Sequence, residues 1–140
     1  MMWSEQFSPY TQLIEGNGGN KNLNGMLNTS KGFTGRRVLG YPESHDKDRL
    51  MYQARTYGAS AEIKSLSGAL KRMASIAAIS TTIPGPKMIW QFAELGWDSS
   101  IYTCSDGTVN DESSTKTGDC KLVTKHVNQW TQNWMDVPER

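Results

Sequence analysis

The chain has 140 residues, 36% of them hydrophobic, with a net charge of +1 and a mean hydropathy of -0.59; that suffices for one domain with a modest core, or for a piece of a larger one. Its 15 basic and 14 acidic residues are mixed along the sequence, which leaves no basic stripe for nucleic acid and no polybasic patch for a membrane surface. The longest mostly apolar stretch, Met73 to Pro86, is broken by Ser and Thr and is too short to span a bilayer.

In chain order, "MMWSEQF" is an apolar opening that runs into polar residues and reads as a strand. "SPYTQLIEG" follows as a short helix, with Ser8 as N-cap and Pro9 at its first position. "NGGNKNLNG" is rich in Gly and Asn and reads as loop. "RRVLGY", residues 36 to 41, has the length of a strand. The clearest element is a helix over 61 to 80, where Ile63, Leu66, Leu70, Met73, Ile76 and Ala77 recur at helical spacing. Pro84-Gly85-Pro86 stops it. "KMIWQFA", 87 to 93, is nearly continuous apolar sequence and reads as a buried strand.

The expected order is strand, short helix, strand, long helix, strand. Such alternation implies parallel strands joined by helical crossovers, with functional groups at the C-terminal strand ends. Three strands and one long helix do not close a barrel, so the domain is expected to be incomplete. Cys104 and Cys120 flank the polar stretch "SDGTVNDESSTKTGD". They read either as a loop-closing disulfide of an exported protein, which we prefer, or as two cytosolic thiols.

Three groups could carry chemistry. His45-Asp46 falls at the end of the second expected strand; the plainer alternative is that Asp46 caps the following helix, and spacing alone favours that alternative. A metal phosphohydrolase would need more histidines than His126 supplies. Glu94 ends the third expected strand as Asp46 follows the second, and neighbouring strands lie about 4.8 Å apart. Among the aromatic residues, Trp90 reads as core, whereas Trp97 and Tyr102, in the loop after Glu94, read as candidates for stacking on a sugar ring.

Taken together, these stretches resemble the α-amylase family, glycoside hydrolase family 13. "RRVLGYPESHDKDRLMY" is similar to that family's strand-seven motif, usually Phe-x-x-Asn-His-Asp, which stands here as Tyr41-Pro42-Glu43-Ser44-His45-Asp46. "IPGPKMIWQFAELGWD" resembles the strand-eight motif, with Ala93-Glu94 where the family often has Gly-Glu. The likeness is strong at residues 39 to 52 and 83 to 98, and weak across 15 to 35 and 104 to 128. Ser44 stands in place of the usual asparagine, Tyr41 in place of phenylalanine, and Pro42 lies in a strand region where it can donate no ladder hydrogen bond.

The resemblance implies a partial (β/α)8 barrel over residues 1 to 140, comprising strands six to eight and possibly completed by association. It implies Asp46 as the transition-state-stabilising carboxylate, His45 as a ligand of sugar hydroxyls and Glu94 as structural support. Retaining glycosidases also need a nucleophile and an acid about 5 to 5.5 Å apart, and no stretch matches the motifs that supply them. The expectation is therefore part of an α-glucan hydrolase, inactive alone, with a non-catalytic glycan-binding or scaffold protein as the alternative. No cofactor and no metal are expected. The expected partner is an α-glucan, with homo-oligomers forming through open strand edges. No charged-then-apolar signal opens the chain, and a secreted or periplasmic parent is slightly favoured.

Overall fold

The computed structural model describes residues 1–104, 107–110 and 138–140. Two strands, β1 (Met2–Glu5) and β2 (Val38–Tyr41), pair in parallel with Met2 opposite Val38 and Glu5 opposite Tyr41. Parallel pairing requires a long crossover. Helix α1 (Phe7–Glu15) and two single 3-10 turns, Asn24–Met26 and Thr29–Lys31, lie along it. After β2 come α2 (Leu50–Tyr57), α3 (Ala61–Lys64) and α4 (Leu66–Thr82).

The ends of the helices follow from local chemistry. The helix α1 begins ahead of Ser8, because the Glu5 carboxylate accepts the Phe7 N–H at 2.8 Å and covers a first-turn amide. Pro9 then falls within the first turn, where its missing donor costs nothing. The C-terminal end stops at Gly16 in the left-handed region, φ 76°. Arg72 reaches across from α4 to donate to the Ile14 carbonyl at 2.6 Å and to the Leu13 carbonyl, closing the same end with a cation. The helix expected over 61 to 80 is divided at Ser65. That side chain accepts the Gly68 N–H at 3.0 Å, capping α4 as α3 finishes.

The partial barrel of strands six to eight is not formed. Among the described residues the sheet has two strands, accompanied by four α-helices. The third expected strand, 87 to 93, contributes one isolated parallel bridge between Gly40 and Lys87. The Gly40 N–H donates to the Pro86 carbonyl at 3.1 Å and the Met88 N–H to the Gly40 carbonyl at 3.2 Å. Beyond that bridge Ile89 is exposed, and the chain curls through turns from Gln91 to Gly96. Phe92 at φ 65° and Gly96 at φ 63° take left-handed conformations that end extension. A continuous apolar run is compatible with a strand or with a packed turn, and here the aromatic side chains fold back onto the chain.

The core lies among the helices. Tyr10 and Ile14 of α1, Leu50, Met51 and Ala54 of α2, and Ala69 and Ile76 of α4 are buried together with Met26. Burying each large aliphatic side chain contributes about 1.5–3 kcal/mol. The polar element of this core is a short chain of hydroxyls: Ser80 Oγ donates to Tyr10 Oη at 2.7 Å, and Tyr10 Oη meets Met26 Sδ at 3.2 Å. Burial pushes the Tyr10 phenol above its ordinary value, and the Ser80 bond draws it partly back. Outside this packing β1 leaves Met2 and Trp3 exposed.

Tyr10→Phe should strand the Ser80 hydroxyl without its acceptor and destabilise the fold by about 1–3 kcal/mol. Chemical denaturation checks it, and an unchanged midpoint would show that Ser80 finds another partner.

Candidate functional site

The loop from Tyr41 to Leu50 connects β2 to α2, and its two ends are tied together by buried charge. Glu43, 1% exposed, accepts the Leu50 N–H at 2.7 Å and the Arg49 guanidinium at 3.1 Å. Leu50 opens α2, so its amide would otherwise be one of the orphan donors of a helix start. Arg49 Nη1 also donates to the Gln91 carbonyl at 2.9 Å. Its Cζ lies 4.8 Å from the Trp97 ring centre and 6.0 Å from that of Trp90. Asp48 holds the other flank: it accepts the Arg49 N–H at 2.9 Å, Ser100 Oγ at 2.7 Å and the Ile101 N–H at 3.1 Å.

This network pins the two chain segments that flank the exposed pair. His45 and Asp46 project outward, with side chains 65% and 70% exposed and His45 Nε2 at 3.2 Å from Asp46 Oδ1. Ser44 Oγ accepts the Asp46 N–H at 3.4 Å and the Ser44 carbonyl accepts the Lys47 N–H at 3.3 Å, folding the pair into a tight turn. The His45 ring stands 5.8 Å from the Trp90 ring at 44°. Both rings border a cleft of about 140 Å³ lined by His45, Arg49, Trp90, Gln91, Trp97, Ser99 and Ile101.

Asp46 is not the cap of α2. Arg49 occupies the N-cap position, and carboxylates from Glu43 and Asp48 receive the amides around it. Pro42 lies just past β2, so it interrupts no ladder bond. Trp97 is 6% exposed, with Phe92 at 5.4 Å on one side and the Arg49 guanidinium stacked on it; it forms the inner wall of the cleft. Tyr102 is half-buried and outside the cleft lining. Its amide donates to Ser100 Oγ at 3.0 Å and its carbonyl accepts the Asn110 N–H at 2.9 Å. Glu94 is exposed in the turns and borders a separate apolar groove beside α4, so the structure does not bring it into the cleft with His45. Trp90, read as core, is the half-buried ring beside His45. Cys104 is disulfide-bonded, and Cys120 lies outside the described residues, as does His126.

The residues missed by sequence reasoning are Glu43, Asp48, Arg49 and Ser100. An acidic residue just before "RLMYQA" is a helix-start signal, and Asp48 could have been found that way. Nothing local marks Glu43 as buried, because its partner at Arg49 is set by the turn between them. Among the described residues no three His, Cys, Asp or Glu side chains gather as a metal site, and no helix is long and apolar enough to cross a membrane. Comparison with protein-family models and with curated proteins gave no match.

Burial raises the Glu43 carboxyl above its ordinary value, against the opposing pull of the Leu50 amide and Arg49. Burial likewise raises Asp48, opposed by its bonds to Ser100, Arg49 and Ile101, and raises Glu15 in α1. A folded chain with raised carboxyl values binds protons more readily than the unfolded chain. These three carboxyls therefore contribute stability that is fully present below the unfolded carboxylate range, about pH 4, and that is lost as pH rises through their folded values. Relative to the unaltered chain, the thermal midpoint of Glu43→Gln should gain as pH rises from that range to neutrality, because the variant has no carboxyl to ionise there. Parallel pH profiles for the two would contradict this.

Proposed function

We propose that this chain contacts α-glucans through His45, Asp46 and Trp90, as part of an α-amylase-type retaining glycosidase to which it contributes the stabilising carboxylate. The observation that carries this reading is the exposed His45 ring, set beside Trp90 in the lining of a small cleft and paired with Asp46, which stands outside that lining. A pyranose has apolar C–H faces and a rim of hydroxyls. Its face suits the indole, while the Asp46 carboxylate accepts hydroxyl protons and the imidazole exchanges a further hydrogen bond. In hydrolysis the same carboxylate would oppose the positive charge of an oxocarbenium-like transition state.

The described residues that line the cleft include no carboxylate. Asp46, next to His45, is exposed outside that lining, and Glu43 and Asp48 are buried and engaged with Arg49, Leu50 and Ser100. That favours binding without turnover for this chain by itself, since a nucleophile and an acid are both required. The same fact supports the second reading, a glycan-binding protein with no catalytic role.

The chain is expected to release no product from starch or a nitrophenyl maltooligosaccharide above an Asp46→Asn control. Titration with maltoheptaose should nevertheless perturb the His45 and Trp90 signals, and Trp90→Ala should weaken binding by about three- to tenfold. Turnover that is lost in Asp46→Asn would overturn the non-catalytic half of the reading. Absence of any perturbation at millimolar sugar would overturn the glycan contact itself.

A further inference from the structure

The geometry points to Glu43 and Arg49 as a positioning pair that sets His45 against Trp90, so that the sugar-facing surface exists only while the pair is intact. Its functional meaning rests on the glycan reading above; the positioning does not.

Two segments distant in sequence must meet to form the cleft. His45 comes from the β2–α2 loop, and Trp90 and Trp97 from either side of the turns at residues 91 to 96. Both sides of the Glu43–Arg49 pair are almost completely buried, 2% and 4% exposed at the side chains. Arg49 is bonded to each segment at once: to Glu43 on the loop side, and to the Gln91 carbonyl on the other. Its guanidinium also stacks on Trp97 and lies near Trp90, which fixes the plane of the cleft wall. Glu43 in turn joins the start of the loop to its end through Leu50. The exposed pair is thus suspended between two anchored points only a few residues apart. A planar, forked cation suits this arrangement, because it bonds in its plane and stacks on its faces; an ammonium cannot do both.

A pair that serves stability alone would leave the exposed loop in place below the melting temperature. A positioning pair moves His45 relative to Trp90 when it is altered. The chain has two histidines, whose ring C–H signals are separable by His126→Gln. Trp90→Ala supplies the His45 shift without the indole ring current. In folded Glu43→Gln, the His45 signal should move from its native position toward the Trp90→Ala value, and maltoheptaose affinity should fall about tenfold. Arg49→Lys, which keeps the charge, should do the same and serves if Glu43→Gln fails to fold. In the unaltered chain, the Arg49 guanidinium protons should be slowly exchanging and in Overhauser contact with the Trp97 ring.

Native His45 shifts in the folded variants, or a freely rotating Arg49 guanidinium, would overturn the positioning role. If the native chain binds no maltoheptaose yet the His45 shift moves as described, the positioning stands and the glycan reading falls.

Discussion

The ion pair between Glu43 and Arg49 is the constraint on which the rest of the site depends. It lies beneath the loop that exposes His45 and Asp46, with both side chains nearly shielded from water. Bringing two charges there costs several kcal/mol per ion, offset by four anchoring contacts: Arg49 to Glu43, Glu43 to Leu50, Arg49 to Gln91, and Arg49 to Trp97. Removing either partner leaves the other charge buried without its counterion, at a cost of about 3–5 kcal/mol. The Asp48 carboxylate extends the network to Ser100 and Ile101, so that a third stretch of chain is held to the same helix start.

The consequence is a division of labour between core and site. The helices α1, α2 and α4 bury the apolar side chains around Tyr10 and Leu50, while the two strands provide little more than a platform from which the loop departs. Helix α2 connects the two. Leu50 is in the core by its side chain and in the ionic network by its amide. Whatever displaces the network therefore also loosens the first turn of a helix that packs in the core. Arg55, exposed, and Arg140, largely buried, both pair with Asp98, the residue after Trp97.

Much of the helical part was legible in the sequence. The spacing of Ile63, Leu66, Leu70 and Met73 marked the long helix, although not its division at Ser65, where a side chain caps a backbone that periodicity does not see. The strand at Val38–Tyr41 was legible from its short apolar run. The third strand was misread because "KMIWQFA" carries the same apolar signal whether its backbone is paired or turned, and the left-handed Phe92 has no sequence mark. At the site, His45 and Asp46 were visible as a chemical pair after the second strand, but their exposure and the residues that hold them were not. Glu43 looks like a surface residue until its partner six positions on is folded beneath it. Trp97 and Trp90 exchanged the expected parts: the first is packed on Arg49, and the second stands beside the histidine.

Amide hydrogen exchange at Leu50 tests the central claim most directly. First-turn amides of a helix ordinarily lack partners and exchange quickly, whereas this one is bonded at 2.7 Å to a buried carboxylate. The Leu50 amide should be protected comparably to interior amides of α2, and that protection should be lost selectively in Glu43→Ala under conditions where α4 remains protected. A Leu50 amide that exchanges as fast as an exposed loop amide in the unaltered chain would contradict it.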